Sequence, residues 1–273
     1  MAGLAALGAV AALTFDLTSA QFAVANAPAL TFPGEIVRDV PVGGPGNLAL
    51  DYYVPEATGP HPVIVFFHGG SWQSGTKDLY RFVGMTLAEA GYMVVIPDYR
   101  KYPAVKFPAF VEDGARALAW AAANVDRLGG DADRIYVAGH SAGAHLGAML
   151  AVDERFLEEV GAAGIIAGFA GLAGPYHFTP QAEDMRAIFG PPDRYPAMQA
   201  GNFVDGSEPP FLMQYGRADE TVGFVNIERM KATFDPAGVC HAERLYEGVG
   251  HIQIVADFAW LYNDSSPVVA DMV

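Results

Sequence analysis

The stretch that most constrains the fold is Gly139-His140-Ser141-Ala142-Gly143 together with its flanks. A short apolar run, Arg134-Ile135-Tyr136-Val137-Ala138, precedes it. A run of small residues, Ala144-His145-Leu146-Gly147-Ala148-Met149-Leu150-Ala151, follows it. Strand, sharp turn and helix in that order make a βα unit, and Gly-x-Ser-x-Gly at such a turn is the pattern of a nucleophile elbow. The turn is strained, and a side chain at Gly139 or Gly143 would collide with the neighbouring strand and helix. The pattern therefore holds the Ser141 hydroxyl above a sheet, at a helix N-terminus that favours negative charge. The competing reading is a chance match in a chain with 31 glycines.

The rest of the chain alternates strand and helix around that unit. Glu35–Val40 and Leu48–Val54 alternate apolar and polar residues across Gly43-Gly44-Pro45-Gly46, which predicts a hairpin at one sheet edge. Val63–Phe67 is a continuous apolar run of the kind found in buried parallel strands. Further strands are predicted over 92–96, 134–138, 164–170, 211–215 and 242–246. Helices are predicted over 79–90, 110–128, 142–152, 222–234 and 252–262. Such alternation implies an α/β fold, with a mostly parallel central sheet of about eight strands covered by helices on both faces. Residues 34–273 read as one domain, without an internal repeat. Residues 175–210 break the rhythm with seven prolines and several aromatics, and a long insertion inside a compact domain suits a lid or pocket wall.

Residues 1–33 form an apolar amino-terminal segment. Met1–Leu13 is rich in Ala and Gly, and Ala25-Asn26-Ala27 resembles a signal-peptidase site. The first basic residue is Arg38, however, so the positive region of a signal peptide is missing. The apolar run is also short of the ~20 residues that span a bilayer, so no stable membrane insertion is expected. The segment reads as a helix and the location as cytoplasmic, with a periplasmic or secreted protein as the alternative if residues 1–27 are a signal.

Charge and cysteine content exclude some classes of function. The net charge of −15 disfavours nucleic acid, which needs a basic face. Cys240 is the sole cysteine, so neither an intramolecular disulfide nor a cysteine metal cluster can form. The seven histidines are scattered and show no His-Glu-x-x-His pattern, so no metal site is expected.

Three further features support serine chemistry. His68-Gly69-Gly70-Ser71-Trp72 follows a buried strand, and its glycines let main-chain N–H groups approach an oxyanion. Those donors are assigned to Gly69, Gly70 and Ser71, with the latter two preferred, and to Ala142 after the candidate nucleophile. Asp219 lies just past a strand end, where it can orient a histidine. An Asp there is also a favoured helix cap, and Glu220 is its local competitor. His251 lies in Gly248-Val249-Gly250-His251 after the last strand, giving the chain order Ser141, Asp219, His251. In this reading His251 is general base toward Ser141 and then general acid toward the leaving group. Trp72, Tyr99, Tyr102, Tyr176, Phe178 and Phe203 are candidates for the pocket wall, with core packing as the alternative for each. Trp72, Tyr102 and Tyr176 are the preferred substrate-binding residues.

On these residues, together with Pro97-Asp98-Tyr99-Arg100-Lys101-Tyr102-Pro103 and Ala144-His145, the chain resembles an α/β-hydrolase. The similar group includes hormone-sensitive-lipase-like carboxylesterases, bacterial esterases close to them and kynurenine formamidases, and the similarity runs from about Glu35 to Tyr262. It implies the α/β-hydrolase fold and a cofactor-independent serine carboxylesterase acting on short-chain neutral esters through an acyl-enzyme. Arylformamidase action on N-formylkynurenine is the alternative, followed by a non-catalytic binding protein on the same scaffold. Lipase-like members usually have a third glycine where this chain has Ser71, and often a larger amino-terminal cap. Both departures favour the smaller esterase and formamidase branch. The expected partner is a small-molecule ester, and homodimerisation stays open.

Overall fold

The computed structural model describes residues 22–27, 31–260 and 266–273. Most of the 1–33 segment lies outside the described residues, as does Tyr262 at the end of the expected closing helix. Among the described residues one sheet has eight strands: β1 (Glu35–Pro41), β2 (Ala49–Val54), β3 (His61–Phe67), β4 (Met93–Pro97), β5 (Gly130–His140), β6 (Ile166–Leu172), β7 (Phe211–Gly216) and β8 (His241–Tyr246). Their spatial order is β1-β2-β4-β3-β5-β6-β7-β8. β2 runs antiparallel to β1 and β4, which is the predicted edge hairpin. Every other pairing is parallel.

Helices cover both faces. Adjacent strand residues point to opposite sides. In β2, Tyr52 packs against Trp120 of α2 (Ala109–Asn124), while Tyr53 packs on Gly84 of α1 (Arg81–Glu89). The two helices therefore lie on opposite faces, and all five residues of β4 between them are buried. That is why the central strands read as unbroken apolar runs.

The elbow is built as its glycines require. β5 ends at His140, Ser141 has φ 55° and ψ −120°, and α3 (Ala142–Val152) starts at the next residue. A Cβ on Gly143 would lie 2.0 Å from the Phe67 carbonyl oxygen, and one on Gly139 would lie 2.5 Å from the Gly143 carbonyl carbon. Both clashes are with backbone. Gly143→Ala should therefore cost about 3 kcal/mol or more. Its thermal midpoint should fall by roughly 6–12 °C, at 2–4 °C per kcal/mol for a domain of this size. An unchanged midpoint would mean that the elbow is slack. α3 carries its small residues for a similar reason: it is buried nearly all round, and Gly147 lets it sit against Val137 and Phe169.

The 175–210 stretch is more ordered than its prolines suggest. It holds α4 (Glu183–Phe189) and two short 3₁₀ segments, Pro192–Met198 and Ala200–Phe203. Hydrogen bonds fasten it: Ala200 N–H to the Tyr176 carbonyl (3.1 Å) and Phe178 N–H to Gln199 Oε1 (2.9 Å). The next helix, α5 (Val225–Ala237), begins three residues later than predicted because Asp219 Oδ1 takes the N–H groups of Thr221 and Val222. The closing helix shrinks to one turn, Gln253–Ala256. There Phe258 and Ala259 turn back by tighter i→i−3 bonds into the core.

Candidate active site

Four strands deliver the sequence candidates to one place, the carboxyl edge of the sheet, where open α/β folds place their ligands. Ser141 follows β5, the His68–Trp72 loop follows β3, Asp219 follows β7 and His251 follows β8. His251 Nε2 lies 2.9 Å from Ser141 Oγ, and its Nδ1 lies 2.8 Å from Asp219 Oδ2. A carboxylate can only accept, so the ring proton sits on Nδ1, leaving Nε2 to accept from the serine hydroxyl. Burial pushes the Asp219 carboxyl up, but hydrogen bonds from His251 and from the Val222 and Thr221 N–H groups outweigh it and hold the group below its usual range. Glu220 is exposed, and among the described residues the carboxylate bonded to His251 is that of Asp219. Capping and histidine contact coexist at Asp219, one through each oxygen.

The candidate oxyanion donors Gly70 and Ser71 line the same cavity as Ser141, and Ala142 follows the serine in the chain. Ala142 is the first residue of α3, so its N–H has no partner within the helix. Gly70 and Ser71 turn through φ 128° and 52°, and their N–H groups donate to no backbone carbonyl among the described residues. The Gly70 carbonyl accepts from Gln73 N–H (3.0 Å) and Ser74 N–H (2.9 Å), which fixes the loop. A Cβ on Gly70 would lie 2.2 Å from the Ser74 carbonyl oxygen, so glycine is required there.

Behind this loop the Pro97–Pro103 stretch acts as a buttress. Tyr99 O–H donates to the His68 carbonyl (2.8 Å), its ring stacks on His68 at 4.4 Å, and Tyr102 N–H donates to the Trp72 carbonyl (2.9 Å). Arg100 pairs with buried Asp113 at 2.9 Å. Tyr99 is thus a support inside the core, and Tyr102 meets the site through its main chain. Neither lines the cavities beside Ser141. Tyr176, also expected in the wall, is 1% exposed and packs edge-on against Phe169 behind it. Phe203 lies elsewhere, under Arg155.

Two cavities open on Ser141. One, of about 360 Å³, runs between the Gly69–Ser71 loop and Phe22, Leu79, Tyr80 and Ile252. The other, of about 370 Å³, is bounded by Trp72, Pro175, Phe178, Met185, Val222 and Asn226. Trp72 and Phe178 are stacked at 5.7 Å. The insertion thus supplies one wall, through Pro175, Phe178 and Met185. Phe22, Leu79 and Ile252 carried no signal in the sequence, because their role depends on contacts between distant segments. Asn26 shows how its segment is fastened: its side chain donates to the Asp78 and Leu79 carbonyls and accepts the Phe82 N–H. Among the described residues no helix is long and apolar enough to cross a membrane, and no cluster of three metal-ligating side chains occurs.

His145 secures the second cavity. Its ring meets Trp72 edge-on at 5.2 Å, and Nε2–H donates to the Met198 carbonyl (2.8 Å). Burial lowers its pKa to about 4, so it is neutral when folded and takes up a proton on unfolding. Its contribution is complete above pH ~6.5 and is lost as pH falls toward the folded value, at about 1.4 kcal/mol per pH unit. Between pH 7.5 and 5, His145→Gln should therefore lose about 2 kcal/mol less stability than the wild type by denaturant titration. Equal losses would show that His145 titrates freely in the fold.

A family model described as BD-FAE matches residues 50–164, and one described as the prolyl oligopeptidase family matches residues 111–262, more than half of the chain. A probable isoprenylcysteine alpha-carbonyl methylesterase of Oryza sativa subsp. japonica is 37% identical over 128 residues, 46% of this chain and 30% of that protein. Esterase LipC of Mycobacterium tuberculosis is 32% identical over 186 residues, 59% of this chain and 45% of that protein. The chain matches about a third of the length of the first curated relatives (30–36%). Among solved structures, esterase B of Lactobacillus rhamnosis superposes with a TM-score of 0.81 at 21% identity, covering 98% of this chain and 92% of the other. Esterase 2 of Thermogutta terrifontis superposes with a TM-score of 0.71 at 24% identity, covering 88% and 91%.

Proposed function

Because the chain belongs to the prolyl oligopeptidase family, within the α/β-hydrolases, we propose that it is a serine carboxylesterase that hydrolyses short-chain neutral esters through an acyl-enzyme. The observation that carries this reading is the Ser141–His251–Asp219 chain of hydrogen bonds, at 2.9 and 2.8 Å, beside Gly70 and Ser71 N–H groups that donate to no backbone carbonyl among the described residues. In the proposed mechanism Ser141 Oγ attacks the ester carbonyl as His251 Nε2 takes its proton. Asp219 stabilises the imidazolium that forms. Negative charge developing on the carbonyl oxygen is met by the N–H groups of Gly70, Ser71 and Ala142. His251 then protonates the departing alcohol, and water repeats the sequence on the acyl-enzyme to release the acid.

The two cavities fit an ester with an apolar arm on each side of the scissile carbon. Among the described residues their side-chain linings are mostly apolar and carry no charged residue except the proposed base, which suits neutral substrates. The esterases among the similar proteins support the same class. Trp72 stacked on Phe178 would also receive an aryl group, and this favours N-formylkynurenine as the second reading.

A panel of p-nitrophenyl esters with N-formylkynurenine tests the proposal. Each methylene that enters a cavity adds up to about 0.8 kcal/mol, and the gain reverses once the cavity is full. Catalytic efficiency should peak between acetyl and hexanoyl esters and fall steeply by decanoyl. A maximum at dodecanoyl would overturn the short-chain assignment, and faster turnover of N-formylkynurenine than of any ester would favour the second reading.

A further inference from the structure

Two buried side chains beside Ser141, Tyr80 and His140, have no part in that mechanism. His140 is 1% exposed and Tyr80 4%. His140 Nε2 lies 2.9 Å from the main-chain oxygen of His251, and His140 Nδ1 lies 2.9 Å from the Tyr80 hydroxyl. Burial keeps the ring neutral, lowering its pKa to about 3. A neutral imidazole has one donor and one acceptor, and a carbonyl can only accept. The His140 proton is therefore on Nε2 and is donated to His251. Nδ1 must then accept, and Tyr80 O–H must donate. The two bonds run in one fixed direction, from Tyr80 through His140 to the His251 carbonyl.

The same pair bears on the loop of candidate oxyanion donors. A Cβ on Gly69 would lie 2.8 Å from His140 Nδ1 and 2.9 Å from the Tyr80 oxygen, so the loop rests directly on this hydrogen bond. His251, by contrast, sits in a glycine-flanked turn with Gly248 at φ 73°. Asp219 fixes its ring at Nδ1, and His140 grips its main chain.

We infer that His140 and Tyr80 are positioning residues: they hold the His251 backbone and Gly69 in one frame, so that the base keeps its reach to Ser141. This rests on the serine-hydrolase reading above. Freeing the His251 carbonyl lets the base drift, and a misplacement of 1 Å costs about 10²-fold in rate.

The test compares kcat and KM on a p-nitrophenyl ester for the wild type, His140→Leu, His140→Asn, His140→Gln and Tyr80→Phe, alongside thermal midpoints. His140→Leu and His140→Asn should lose about 10²-fold in kcat at unchanged KM. The Asn amide still accepts from Tyr80 but falls short of His251, so it separates the two bonds. The Gln amide reaches that carbonyl and should recover at least half of the loss on a logarithmic scale. Tyr80→Phe should lose less than His140→Leu, because the bond to His251 survives.

The inference is overturned if His140→Leu turns over like the wild type. It is also overturned if losses follow the thermal midpoints with no advantage for Gln over Asn. Amide hydrogen exchange over residues 248–252 repeats the comparison without turnover. Faster exchange in His140→Leu than in His140→Gln supports the inference, and equal rates overturn it. A wild type that cleaves no ester fails the esterase reading alone, since the exchange comparison still decides this one.

Discussion

Replacing Ser141 with alanine should lower kcat for ester hydrolysis by about 10⁶-fold, the loss seen when a serine protease loses its nucleophile. The fold survives the change. Among the described residues the hydroxyl has His251 Nε2 as its one hydrogen-bond partner, and the main-chain bond from Ser141 N–H to the Leu172 carbonyl (2.9 Å) does not involve the side chain. Alanine meets the same backbone strain at φ 55° that serine already bears. Circular dichroism and thermal unfolding should match the wild type, which separates lost chemistry from lost structure. Retention of a tenth of the activity would remove Ser141 from the reaction.

Asp219→Asn should lower kcat by about 10⁴-fold, as the equivalent change does in a serine protease. The reason can be read from the three N–H groups that Asp219 accepts. Thr221 and Val222 share Oδ1, at 2.8 and 2.9 Å, and His251 Nδ1 takes Oδ2. An asparagine has one acceptor oxygen. The two backbone donors claim it, and the amide NH₂ then faces His251 Nδ1. The imidazole can meet that donor only by moving its proton to Nε2, where it no longer accepts from Ser141. Glu220→Gln, on an exposed side chain, should leave kcat within about twofold, because surface changes away from such features usually have small effects. A reversed ranking in steady-state kinetics would move the acid to Glu220.

The centre of the sheet was largely legible because strands such as Val63–Phe67 and Met93–Pro97 are buried on both faces, and such strands must be apolar without interruption. Val63–Phe67 and the elbow needed no tertiary information: the glycines at 139 and 143 are dictated by clashes with backbone, which any fold with that turn would impose. The strand predicted over 164–170 shifted to Ile166–Leu172 because Gly164, at φ 70°, still belongs to the turn before it. The delayed start of α5 was hidden for a different reason. Asp219 caps the turn ahead of it, and the same residue is required by His251 32 positions away.

The pocket was less legible than the triad candidates. An aromatic next to a motif can face solvent, ligand or core, and composition does not choose among them. Tyr99 turned inward because its hydroxyl found the His68 carbonyl, and Tyr176 because it fills the space over Phe169. Trp72 and Phe178, by contrast, face the cavity with His145 behind Trp72. The Tyr80–His140–His251 sequence of hydrogen bonds joins positions 60 and 111 residues apart and leaves no local pattern to detect.

The central claim is that Ser141 is the activated nucleophile. Its most direct test is to react the wild type with a fluorophosphonate and map the adduct by peptide mass spectrometry. One phosphonyl group per chain on Ser141, absent from Ser141→Ala and slowed in His251→Ala in step with hydrolysis, is the predicted result. An enzyme that hydrolyses esters with Ser141 unmodified, or that carries its adduct on another residue, would contradict it.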